Sequence, residues 1–213
     1  MRHIEKTEPP IEFVEYLKTP GVCFGGLNGD PKRALRKRLL EDQGYICCYC
    51  GCRISNDDNT KIEHIKCQKR YPSLALEYNN MLASCDGGAY DRTNRIRPKH
   101  NRHCDDKKGD NDIPVSPLDT RIEELLTYFE DGTVVGTGEG KDLVDILGLN
   151  VPYLVSKRKS VIKAYIEEPP GDPKAEIIRL KTMHEGKFDE YCFVLEQYVL
   201  TLIINRDEIA QAM

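Results

Sequence analysis

Cys47-Cys48-Tyr49-Cys50 carries two thiols at the C-x-x-C spacing, which lets one tight turn present both sulfurs to a tetrahedral ion. Cys85 and Cys104 follow in polar, turn-rich surroundings and complete a four-cysteine set of the kind that structural zinc sites use. Cys48, Cys52, His100 and His103 are further donors on which such a site could draw. A free cysteine also serves as a small apolar residue, and for Cys23, Cys67 and Cys192, outside any cluster, that is the simpler reading. From Tyr45 to about Asp119 the chain is rich in cysteine, glycine, asparagine and charge. Its apolar runs there are brief, such as Ser73-Leu74-Ala75-Leu76 and Met81-Leu82-Ala83, so burial alone does not hold the region together. A bound metal supplies the missing constraint.

On either side the pattern changes. Asp30-Pro31 reads as an N-cap and a first-turn proline for a helix through Ala34 to Leu40, apolar on one face, basic on the other, and stopped by Gly44. The residues before it, with Pro9, Pro10 and Pro20, read as a loop. Past Pro117, Arg121 to Phe129 reads as helix or strand, followed by a tight turn at Glu130-Asp131-Gly132 and a strand at Thr133-Val134-Val135. Lys141 to Leu147, Tyr153 to Glu168, Pro173 to Glu185 and Phe188 to Asn205 have helical spacing of Leu, Ile and Val, with Leu195, Val199, Leu202 and Ile203 as core. Three segments follow: residues 1–44 packing on the core, a core at 45–119, and a mainly helical region at 120–213.

Composition narrows the class. The 213 residues have the apolar and charged fractions of a globular protein. The start, Met1-Arg2-His3-Ile4-Glu5-Lys6, has neither a secretory signal nor a membrane span, so a cytoplasmic location is expected, and there nine cysteines point to metal ligation rather than disulfides. The net charge of −4 is unevenly spread, with Arg92, Arg95, Arg97, Lys99, Arg102, Lys107 and Lys108 against only Asp105 and Asp106 in one short stretch. That local basic excess suits a nucleic-acid backbone.

Between the halves of the cysteine set lies Lys61-Ile62-Glu63-His64-Ile65, a run of β character with adjacent carboxylate and imidazole. A carboxylate can ligate a hard divalent ion, and an imidazole titrating near neutrality can take a proton from water. The series C-x-Y-C, E-H-I, Y-N-N-M-L-A-S-C and H-C-D-D-K-K-G resembles the HNH nuclease pattern, in which a β-hairpin and a helix surround one catalytic metal. The resemblance implies an α+β fold with a zinc-stabilised ββα-metal core, an N-terminal helix and a mainly helical C-terminal region. It makes His64 the general base and Glu63 a metal ligand where many members have aspartate or histidine. Asn80 becomes the asparagine that braces the hairpin loop, and Asp105 a second ligand for Mg²⁺ or Mn²⁺ where many members carry asparagine or histidine. The structural zinc would lie among Cys47, Cys50, Cys85 and Cys104.

A narrower resemblance rests on Tyr71 to Tyr78, the basic spacer before His103-Cys104, Pro114-Val115-Ser116-Pro117-Leu118-Asp119 and Leu147-Gly148-Leu149-Asn150. These are similar to PtuB-like proteins, the HNH subunits of Septu and retron-associated anti-phage systems, from about Asp30 to Arg158 and at the Met1-Arg2 start. The long spacer between Cys85 and Cys104 is usual there. The resemblance implies DNA phosphodiester hydrolysis, phosphate contacts from the basic residues, and assembly with a PtuA-like ATPase subunit through the C-terminal region. The competing readings are a non-catalytic zinc module that binds nucleic acid or protein, and an RNA-cutting HNH nuclease. A lone Glu-His pair is usually a surface feature and a lone turn asparagine usually a local backbone cap. It is their order between the cysteines that favours the nuclease.

Overall fold

A computed structural model describes residues 1–89 and 101–212, with side chains described through Ile204. Seven α-helices and two small antiparallel sheets form an α+β fold among these residues. The first helix, α1 (Ile11–Leu17), lies where a proline-rich loop was expected. Pro10 stands at its N-cap with extended backbone, a place where its missing N–H costs nothing, and Phe13 is fully buried. Helix α2 (Gly29–Asp42) begins just before the expected Asp30 cap, with Asn28 as the extended cap residue and Pro31 in the first turn. Leu35, Leu39 and Leu40 are buried. Arg33 pairs with Asp30, while Lys37 and Arg38 pair with Glu41, so the basic face is largely self-neutralised. Arg36 turns inward and donates to the Asp57 carbonyl and the Asp58 carboxylate.

Strands β1 (Thr60–His64) and β2 (Met81–Cys85) pair antiparallel, with His64 opposite Met81 and Thr60 opposite Cys85. Helix α3 (Cys104–Lys108) packs on β2. The second sheet joins β3 (Leu126–Tyr128) to β4 (Val134–Gly136) around the expected Asp131-Gly132 turn. Four helices follow: α4 (Gly140–Leu147), α5 (Pro152–Glu167), α6 (Pro173–Lys181) and α7 (Cys192–Ala212). Helix α6 stops four residues short of its expected end because His184 and Lys187 pair as an isolated bridge. Helix α7 starts late because the Phe188 and Tyr191 N–H groups donate to the carbonyls of Gly44 and Gly51. The tie at Gly51 is tight: a Cβ there would lie 2.5 Å from the Phe193 ring, at a φ of +80° that favours glycine.

One buried cluster gathers Phe13, Leu35, Leu39 and Tyr49 with Met81, Leu82, Leu126, Val134, Leu143 and Leu147. A second unites Ile46 with Ile162, Leu180, Phe193, Leu195 and Val199, against which Leu202 and Ile203 pack.

Short sheets leave unpaired edges, and here side-chain amides finish them. Gln43 accepts from the Ala83 N–H at 2.7 Å and donates to the Ala83 and Ile46 carbonyls at 2.8 and 2.9 Å. Asn150 likewise takes both backbone groups of Val134, and Gln197 takes the Tyr128 N–H and Leu126 carbonyl. Gln43→Leu keeps the volume but strands the buried Ala83 N–H and the Ile46 carbonyl. We expect it to cost about 2–4 kcal/mol at unchanged metal content. Denaturant unfolding measures this, and a loss below about 0.5 kcal/mol would show that the amide does not hold the strand.

Candidate active site and cysteine cluster

Two overlapping sets of donors meet beside the end of β2. The ligand atoms of Cys47, Cys50, Cys52 and Cys85 lie within 4.8 Å of one another, as do those of Cys50, Cys85, His103 and Cys104. The Cys50 and Cys85 sulfurs, common to both, are 3.9 Å apart, and His103 Nδ1 lies 3.7 Å from Cys85 Sγ and 3.3 Å from Cys104 Sγ. A tetrahedral ion with metal–sulfur bonds of about 2.3 Å sets its sulfurs about 3.8 Å apart, so the spacing suits one. This cluster could hold a metal ion, and its soft donors are consistent with zinc. All four expected cysteines are in it. Cys52 and His103 join them, Cys48 is in neither set, and His100 lies outside the described residues.

Burial would raise the Cys47 thiol, yet hydrogen bonds with Cys104, Cys48, Cys50 and Cys52 hold it well below its ordinary value. Contact with Cys104 does the same for Cys50, whereas Cys104 is pushed up, first by burial. The Cys85 N–H donates to Cys47 Sγ at 3.3 Å. Arg158, buried and bonded to the Gly132 and Leu149 carbonyls, adds a positive charge that interacts with Cys50 and Cys104.

At the other end of the hairpin, β1 finishes on Glu63 and His64, both buried. His64 Nε2 lies 3.0 Å from the Ala75 carbonyl, which can only accept, so that nitrogen carries an N–H, and the Gln68 amide nitrogen lies 3.3 Å from Nδ1. Phe24 packs edge-on against the imidazole at 4.5 Å. Burial lowers the His64 pKa despite the opposing effect of the Ala75 carbonyl. Asn80 accepts from the Lys66 N–H at 2.8 Å and donates to the Lys66 and Leu74 carbonyls at 3.0 Å. It thereby closes the loop that carries Ala75.

Glu63 Oε1 accepts from the Tyr49 hydroxyl at 3.1 Å and lies 2.8 Å from Lys108 Nζ. Burial, reinforced by hydrogen bonding with Asp105, pushes the Glu63 carboxyl up to about 8, against the pull of Lys108. Glu63, His64, Asn80 and Asp105 thus gather around the loop end of β1–β2 and helix α3.

Lys108 corrects the sequence reading. Expected on a nucleic-acid surface, it is 1% exposed and donates to the His64 carbonyl at 2.8 Å as well as pairing with Glu63. The lysine turns inward because a buried carboxylate needs a cation more than a solvated helix end does. Lys107 is exposed, and Arg102 is half-exposed with its guanidinium on Asp106. Arg92, Arg95, Arg97 and Lys99 lie outside the described residues. Sequence reasoning also missed Tyr49, Gln68 and Phe24. Tyr49 had a signal, being a tyrosine inside the C-x-Y-C turn, while Phe24 is brought in from a distant segment that carried none.

Cys23 is exposed whereas the cluster thiols are buried or half-buried. In Cys23→Ser we expect a thiol reagent to modify little until a chelator is added, and then to reach about four more thiols. Equal counts with and without chelator would show that no metal protects them.

No family profile matches the chain. It is 30% identical over 178 residues, 74% of its length and 80% of the relative's, to the protein named Retron Vc95 putative HNH endonuclease of Vibrio cholerae serotype O1 biovar El Tor. It is also 25% identical over 166 residues to Septu protein PtuB of Bacillus thuringiensis, covering 70% of this chain and 55% of that protein. With its paired Glu63 and His64 set between the cysteines, the chain belongs to the PtuB-like HNH endonuclease family of defence proteins.

Proposed function

We propose that this chain is a metal-dependent endonuclease that hydrolyses DNA phosphodiester bonds as the nuclease subunit of an ATPase–nuclease anti-phage complex. The observation that carries this is the gathering of Glu63, His64, Asn80 and Asp105 on one strand–strand–helix unit whose far end is tied by the cysteine cluster. In this reading that unit is the HNH core. Donor chemistry sorts two metals: sulfur and imidazole suit zinc, whereas the Glu63 and Asp105 oxygens suit Mg²⁺ or Mn²⁺. Cys47, Cys50, Cys85 and Cys104 would hold the zinc.

His64 is the general base. Its Nε2–H is spent on the Ala75 carbonyl, so the lone pair of Nδ1 takes the proton of the attacking water once the Gln68 amide, 3.3 Å away, gives way to that water, and its lowered pKa keeps the ring neutral. The water oxygen forms the new bond to phosphorus as the bond to the leaving oxygen breaks. Asn80 positions the base indirectly, by fixing the loop whose carbonyl orients the ring. A divalent ion held by Glu63 and Asp105 would supply charge neutralisation at the phosphate and the leaving oxygen. Arg102 and Lys107, with the Lys66, Lys69 and Arg70 side chains of the hairpin loop, would attract the backbone without reading sequence.

Zinc-loaded His64→Ala, assayed with any cognate partner and Mg²⁺ or Mn²⁺, is expected to lose about 10²–10⁴-fold in DNA cleavage rate. Cleavage at the native rate would reject His64 as the base.

Docking of the ATPase subunit on the C-terminal helices is supported by the exposure of Ile166, Ile178 and Ile204, at 44%, 68% and 56%. Deleting these helices would also strip Phe193 from Gly51, so point substitution is the cleaner test. Ile178→Glu is expected to weaken copurification with the ATPase at least tenfold while leaving the fold unchanged. Undiminished binding by Ile178→Glu and Ile166→Glu would place the docking surface elsewhere.

A further inference from the structure

Lys108 closes α3 and is 1% exposed, yet it is a primary ammonium, a group almost never buried without a partner. Its partners are Glu63 Oε1 and the His64 carbonyl, each at 2.8 Å. The same Oε1 takes the Tyr49 hydroxyl. The backbone of Lys108 is pinned as well, since its carbonyl accepts from the Asn111 N–H at 3.0 Å and from Asn111 Nδ2 at 2.9 Å. The ammonium can therefore leave Glu63 only by rotation of its own side chain.

We propose that Lys108 is a built-in competitor for the Glu63 carboxylate, so that a divalent cation binds by displacing a lysine. The proposal rests on the reading of Glu63 and Asp105 as ion ligands. Glu63 meets both the Lys108 ammonium and the half-buried Asp105 carboxylate, so the three groups carry one negative charge in excess when all are ionised. A dication added with the lysine still in place would set two cations against each other in a medium that screens them poorly. Releasing Oε1 removes that repulsion and gives the ion the oxygen that the lysine held. In the metal-free protein the lysine supplies the counter-ion whenever Glu63 is ionised.

The test is Mn²⁺ binding at constant pH by the full, zinc-loaded chain as wild type, Lys108→Met and Glu63→Gln. Lys108→Met is expected to bind Mn²⁺ at least about tenfold more tightly than wild type with unchanged zinc content, and Glu63→Gln to lose binding. Equal or weaker affinity in Lys108→Met, while wild-type binding still depends on Glu63, would overturn the competition alone. Mn²⁺ binding that ignores Glu63→Gln would overturn the ligand assignment and the competition with it. Should Lys108→Met fail to fold, the wild type is read directly by reductive methylation and mass spectrometry. Lys108 is expected to be labelled at least about tenfold faster at saturating Mg²⁺ than without it, and equal labelling would overturn the proposal.

Discussion

Everything in the described fold hangs on one constraint, the convergence of five sulfurs and an imidazole from three separated stretches of chain. The stretch around Cys47–Cys52, the end of β2 at Cys85, and the turn into α3 at His103–Cys104 share no continuous secondary structure. The sulfurs fix where β2 ends and where α3 begins, and so how the carboxylate on α3 approaches the carboxylate on β1. The C-terminal helices are tied to the same point, through Phe193 against Gly51 and through the buried Arg158. A cluster of buried thiols is poorly able to carry several negative charges by itself, and this one is arranged so that it could hold a metal ion.

Around this point the protein economises on regular structure. Each two-stranded sheet is too short to protect its own edges, and Gln43, Asn150 and Gln197 act as single-residue strands, each offering one donor and one acceptor at backbone spacing. Asn80 does the same for a loop rather than a strand. The site is built on that loop: the asparagine does not touch the imidazole, but it holds the segment whose carbonyl does.

Electrostatics separate the two ends of the hairpin. Soft donors collect at Cys85, while hard oxygens collect where β1 ends, with Glu63 buried and its proton affinity raised. At the hard end burial outweighs every other influence, so the carboxylate draws a lysine out of the solvated face of a helix. Lys108 and Lys107 are adjacent in sequence and alike in chemistry, yet one is internal and the other exposed.

By itself the sequence determined the residue types of the candidate site and their order. The C-x-x-C turn, the adjacent Glu63 and His64, Asn80 and the Cys104-Asp105 step are local patterns, legible because turn and strand geometry act over a few residues. The Asp131-Gly132 hairpin and most of the later helices were legible for the same reason. Only the tertiary structure decided which donors crowd one point, which of two neighbouring lysines turns inward, and where α7 begins. Those outcomes rest on desolvation and on bonds such as Tyr191 to Gly51 and Lys108 to Glu63, whose partners lie tens of residues away or more. No local pattern encodes such a partner, because its energy exists only once the chain has folded around it.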